Sequence, residues 1–273
     1  ASDLESRQDA FQLMYTLYRS PEMEYALEDP TQMWYSKFNA SAHTNIIVVR
    51  DFQTRKIVAT LTIVIDSELG LPLEENYPGQ IREFRSKKRL CAEIISLGFD
   101  ENVKHSNEIL VELFKYSYLV SKVVYNVTDF FIMIKPRHAL FYVRKLLFVP
   151  IGNEVNCIKI NNKPVMLYHL DLSNVKDQSK VENQPGKNNN GEMYKDFELA
   201  LQNKKWMSAL KNMVLDSEMS IFELDYFFVQ QKSLLNKLDS SEMLELAKYY
   251  QSRETKLFLL NFSKMDTFEI LKV

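Results

Sequence analysis

With 273 residues, the chain has room for one large domain or two ordinary ones, and 46% hydrophobic against 26% charged residues describe a globular protein. A formal net charge of -2 provides no basic excess for nucleic acid or an anionic membrane surface, and the longest apolar runs fall well short of the ~20 residues of a membrane span. No basic-then-apolar leader pattern opens the sequence, the two cysteines (Cys91, Cys157) sit in apolar strand-like settings, and the four histidines are scattered; a cytoplasmic protein with reduced core thiols and no metal site is expected.

Residues 5–19 place Phe11, Met14, Tyr15 and Tyr18 at helical spacing, which predicts an amphipathic helix. Residues 45–50 and 56–66 read as a hairpin, its second strand carrying Ile57, Ala59, Leu61, Ile63 and Ile65 on one face and its turn at 51–55. Asp66 ends that strand. Gly70-Leu71-Pro72-Leu73-Glu74 breaks regular structure, and Tyr77-Pro78-Gly79 signals a turn. Residues 81–89 are basic (Arg82, Arg85, Lys87, Lys88, Arg89), either a solvated face or an anion site.

The run 90–100 reads as a strand covered on both sides. Strict alternation puts Ala92, Ile94, Ser96 and Gly98 on one face, and Cys91, Glu93, Ile95, Leu97 and Phe99 on the other. Glu93 is out of place there, because burial of a carboxylate is costly and raises its pKa. It is either a structural acid tied to an arginine or a base tuned to take a proton from an amine.

A helix is expected over 106–125, with Ser106 as N-cap and no glycine in the connector 101–105 to cradle a diphosphate. A strand (128–134), a loop at Lys135-Pro136-Arg137-His138, a short helix (139–147) and a hairpin (155–160 with 165–172) follow. This order makes an α/β (α+β) domain over residues 1–174. A polar linker over 175–192 then leads to a helical extension over 193–273, with segments at about 193–215, 219–238 and 241–251 and one last short element at 257–262. Its expected buried stripes include Phe197, Leu201, Trp206, Leu210, Phe222, Leu224, Phe228, Leu234 and Leu235. It would pack on the main domain or on a second copy, giving a homo-oligomer.

Leu13-Met14-Tyr15, Ala59-Thr60-Leu61, Asp66 with Gly70-Leu71-Pro72-Leu73-Glu74, Ala92-Glu93-Ile94 with Ser96-Leu97, and Pro136-Arg137-His138 through Phe141-Tyr142 to Phe148 and Gly152 occur in this order. The series resembles the long-chain N-acyl amino acid synthase family, bacterial acyltransferases of the GCN5-related N-acetyltransferase (GNAT) fold related to acyl-homoserine lactone synthases. The resemblance spans residues 10–172. It implies a splayed mixed sheet whose Glu93 strand and 128–134 strand part to admit an acyl-phosphopantetheine arm, borne by acyl carrier protein or by coenzyme A. No bound cofactor is implied. The acceptor would be an amino acid or similar small amine.

On that reading Glu93 is the base and Tyr142 the acid that protonates the leaving thiolate, a side chain otherwise read as a core aromatic beside Phe141. Backbone N–H groups from Ser96 to Gly98 polarise the carbonyl, Gly98 permitting close approach. Arg85 and Arg89 grip a carboxylate or the pantetheine phosphate. Asp66 or Glu74 holds the ammonium or caps a turn, and His138 relays a proton or sits in a polar turn. The chain departs from the family at Ser20-Pro21-Glu22-Met23-Glu24-Tyr25, where a Gly-Tyr pair is common. Two alternatives stand beside this reading: a non-catalytic module that binds acyl carrier protein or another partner, and a lactone-forming signal synthase dependent on S-adenosylmethionine.

Overall fold

A computed structural model describes residues 1–19, 28–173 and 190–263; the divergent stretch at 20–25 and most of the polar linker lie outside them. Helix α1 (Leu4–Tyr18) starts at Asp3, whose side chain accepts the Ser6 N–H. The hairpin follows as β1 (Thr44–Arg50) and β2 (Ile57–Ile65). One 3₁₀ turn, Pro72–Glu75, breaks the next stretch, and the basic run folds into a short helix, α2 (Arg82–Ser86). Then come β3 (Cys91–Phe99), α3 (Ser106–Tyr125), β4 (Asp129–Ile134), α4 (Ala139–Leu146), β5 (Val149–Pro150), β6 (Val155–Cys157) and β7 (Lys163–Asp171).

The seven strands make one mixed sheet in the order β1-β2-β3-β4-β7-β5, with β6 also on β7; β3 and β4 run parallel and the other pairs antiparallel. On one face α3 packs over Ala59, Leu61, Ile63, Ala92, Ile94, Phe130 and Ile132. On the other, Leu71, Leu73, Tyr77 and Ile81 cover Val64, Cys91, Phe131 and Leu167, while α1 lies over β2 and β3 nearby. Leu61, Ile63 and Phe131 are wholly buried, worth about 1.5–3 kcal/mol each against exposure.

Alternation along β3 breaks at a bulge, which corrects the strict two-face reading. Thr62 pairs with Ile95 and Thr60 with Gly98, so Ser96 and Leu97 together face Leu61, and Ser96 takes φ 50°. The extra residue turns Gly98 onto the Glu93 face and Leu97 and Phe99 onto the α3 side.

Other expectations change locally. Ser106 is the first helical residue of α3; His105, at φ 59°, stands at the cap without a side-chain bond. Ile158–Ile160 forms a 3₁₀ turn in place of strand, leaving Ile158 83% exposed. The first extension helix is two, α5 (Asn190–Leu201) and α6 (Lys204–Leu215), because Asn203 caps a new start by accepting the Trp206 N–H. Next, α7 (Ile221–Leu224) runs into a π-helical turn, Asp225–Gln231, with Phe222 on the outside at 65% exposure and Phe227 and Phe228 buried. Last come α8 (Ser240–Tyr249) and α9 (Arg253–Leu260).

The extension shares the domain's cores. Phe197, Met207 and Leu210 join the α3 cluster, while Phe227, Leu246 and Leu259 join Ala10 and Phe11 of α1. Buried Arg7 pairs with Glu223 and donates to the Ser217 carbonyl at 2.5 Å. No helix among the described residues is long and apolar enough to cross a membrane.

Candidate active site

The parallel ladder between β3 and β4 covers only Cys91–Ile94 against Asp129–Ile132. Both strands continue beyond it. Ile95, Gly98 and Phe99 pair with β2 alone, and Met133 and Ile134 with β7 alone. The facing edges therefore open a gap, with the Ser96 bulge on one lip. Tertiary packing outweighs completion of the ladder here, because β2 and β7 hold each strand from its outer side.

Glu93 is the penultimate paired residue before the gap, between Val64 on β2 and Phe131 on β4. It is 1% exposed and makes no ion pair among the described residues. Its Oε2 accepts the Leu73 N–H at 2.7 Å. Burial pushes the carboxyl up to about 8, with the Leu73 hydrogen bond pulling the other way. The alternative of an acid locked to an arginine does not describe this residue. A carboxyl that titrates near neutrality can hold either a proton or a charge under working conditions.

The turn that donates to Glu93 has its other side on a cleft of about 780 Å³. Lys37, Asp66, Glu68, Leu71, Glu74 and Arg85 line it, together with Tyr249 from the extension. Arg85 Nε and Nη2 donate to both Asp66 oxygens at 2.8 and 2.6 Å, and Nη1 donates to Glu74 Oε2 at 3.0 Å. Burial would raise the Glu74 pKa, but the hydrogen bonds from Arg85 and the Leu71 N–H, with the Arg85 and Arg82 charges, together hold the carboxyl below its usual range. Three residues expected to meet different ends of an acceptor are thus bound to one another. Glu74 Oε1 also accepts the Leu71 N–H at 2.9 Å, so the capping role assigned to it as the alternative is present as well.

Arg89 is elsewhere. Its Nε and Nη2 donate to Asp129 at 2.6 and 2.7 Å, and Nη2 also lies 2.7 Å from Asp171, at the end of β3 away from the gap. His169 Nε2 completes the cluster, 2.7 Å from Asp129. Burial would raise the Asp129 pKa, but the His169, Arg89 and Thr128 bonds hold it low. Arg89, expected to grip substrate, pairs here with two acids at the strand ends; the acid among the branched residues of β4 gave no hint of this partner.

Tyr142 is 9% exposed, its ring 6.0 Å from Phe114 and 6.3 Å from Phe148 on the α3 side of the sheet. Burial raises its hydroxyl to about 12, and among the described residues nothing hydrogen-bonds to it. Glu93 and Tyr142 therefore occupy opposite faces, joined only through the gap. His138, exposed in the turn before α4, accepts from Arg137 Nε at 3.1 Å in the polar-turn role. The lack of a side chain at Gly98 makes room for α1: a Cβ there would meet Leu17 Cδ1 at 2.4 Å and Met14 Sδ at 2.6 Å.

Leu73, Lys37, Glu68 and Tyr249 were not legible as site residues. A backbone donor leaves no sequence signal, and the other three belong to no motif.

Residues 9–171 match the family model described as N-acyl amino acid synthase FeeM. FeeM itself, an N-acyl amino acid synthase from uncultured soil microbes, superposes with TM-score 0.52 at 23% identity, over 62% of this chain and 92% of that one. The acyl-homoserine lactone synthase LasI gives TM-score 0.46 at 10% identity over 62% and 84%, and the coenzyme A-dependent synthase MesI 0.44 at 12% over 62% and 82%. No curated protein matches the chain.

Proposed function

The chain belongs to the N-acyl amino acid synthase FeeM family, an acyltransferase family, and we propose that it moves a long-chain acyl group from an acyl carrier protein thioester to the amine of an amino acid or similar small acceptor. The observation that carries this reading is Glu93, buried beside the gap with no ion pair among the described residues and shifted to about 8. The donor arm enters between β3 and β4 and brings its thioester carbonyl to the bulge, where backbone N–H groups from Ser96 to Gly98 polarise it. The acceptor occupies the acidic cleft, with Asp66 and Glu74 drawing in its ammonium.

The ammonium first gives up one proton to water; the neutral amine then attacks the thioester carbonyl carbon, and the carbon–sulfur bond breaks as the amide forms. The proton shed by the nitrogen goes to Glu93, directly or through a water. The departing sulfur takes one from Tyr142, whose raised pKa keeps the hydroxyl protonated until it is needed. The turn whose Leu73 N–H bonds Glu93 also presents Leu71 and Glu74 to the cleft, which links the base to the acceptor side. The glycine-free connector ahead of α3 favours a carrier-protein donor, with its single phosphate, over a nucleotide diphosphate.

The test is to supply long-chain acyl carrier protein or acyl-coenzyme A with mixed amino acids and to look for N-acyl products by mass spectrometry. Amide formed from the carrier-protein thioester, with little from coenzyme A, supports the reading. Amide from coenzyme A alone overturns the donor assignment, and hydrolysis without amide overturns the acceptor class.

A further inference from the structure

The extension forms one side of the cleft, and it lies beyond the family match, which ends at residue 171. On α8, Glu242, Glu245 and Tyr249 stand at i, i+3 and i+7, one face of the helix. Each meets the cleft or its rim. Glu242 pairs with Lys37, a lining residue; Glu245 Oε1 accepts the N–H of Glu68, another, at 3.2 Å; Tyr249 lines the cleft itself. The Tyr249 ring lies 3.8 Å from His43, whose imidazole burial holds down at about 4 and therefore neutral. Next in sequence, buried Tyr250 donates to the Ala40 carbonyl at 2.8 Å. The helix is thus pinned from both sides of Tyr249, whose ring cannot swing aside without losing its stack.

We propose that α8 is the outer wall of the acceptor site and that Tyr249 is a specificity-determining residue, setting the largest side chain the acceptor amine can carry. This rests on the acceptor occupying that cleft. A fixed aromatic ring lining the same cleft as the Asp66–Arg85–Glu74 cluster, but bonded to none of its members, leaves the amine end of an acceptor unchanged and limits its body, so removal of the ring selectively admits bulk.

The experiment measures kcat/KM for glycine, valine, phenylalanine and tryptophan as acceptors with one acyl donor. Tyr249→Ala raises the ratio of bulky to small acceptor by roughly tenfold, the scale on which pocket size discriminates. Tyr249→Phe, which keeps the ring, stays near the wild-type ratio. Asp66→Asn is measured alongside. If it raises acceptor KM while Tyr249→Ala leaves the ratio unchanged, the wall assignment is overturned and the cleft stands. If neither variant changes any acceptor parameter, the acceptor lies elsewhere and both readings fall.

Discussion

The Leu73 N–H donates to Glu93 Oε2 at 2.7 Å, a hydrogen bond that favours ionisation of an acid which its burial otherwise keeps neutral. A folded-state pKa near 8 against 4.5 means that folding favours the protonated form. The stability this contributes is complete below about pH 4.5 and is lost as pH rises through 8. Glu93→Gln keeps an acceptor for Leu73 and removes the titration. Its denaturation free energy is expected to fall less than that of wild type between pH 5 and pH 8, by several kcal/mol at about 1.36 kcal/mol per unit. Parallel curves would place the carboxyl's pKa near its usual value.

Tyr142→Phe removes a hydroxyl with no hydrogen-bond partner among the described residues from an otherwise apolar ring cluster. Stability is expected to change by less than about 1 kcal/mol. If the hydroxyl protonates the leaving sulfur, kcat falls about 10–100-fold with KM values nearly constant. An unaltered kcat would make Tyr142 a core aromatic only.

Asp129→Ala strips Arg89 and His169 of their shared acceptor. Breaking such a pair costs roughly 3–5 kcal/mol, toward the lower figure here because Arg89 is 27% exposed. Urea unfolding reads this loss. Turnover per folded molecule should hold, since the cluster lies away from the gap; a selective rise in acceptor KM would return Arg89 to the site.

Gly98→Ala pushes a methyl into Leu17 and Met14. Those are flexible side-chain ends, so overpacking is expected to cost about 1 kcal/mol, visible as a lower Tm. No loss would mean α1 can shift away from β3.

The fold was readable where period and burial agree. In β2, Ile57, Ala59, Leu61 and Ile63 recur at every second residue and are buried, and the Glu93 strand carries enough apolar residues on both faces to mark a central position. The gap beside β3 came only from the family resemblance. The bulge escaped because one inserted residue is silent in the sequence, yet it reverses which face Gly98 and Phe99 occupy. The charged residues failed for a related reason. Arg85 and Arg89 are near neighbours in one basic run, and only tertiary contacts send the first to Asp66 and Glu74 and the second to Asp129 and Asp171. Tyr249 was invisible because its place depends on a helix docking some 180 residues away from the loop it faces.

The central claim, that Glu93 is the base of an amide-forming transfer, is tested most directly by kcat/KM for the amine against pH in wild type and Glu93→Gln. Wild type should climb with its midpoint near pH 8 and level off about one unit above it, and the variant should lie about 10²–10⁴-fold lower without that inflection. A variant that forms amide at the wild-type rate, with the same pH curve, would contradict it.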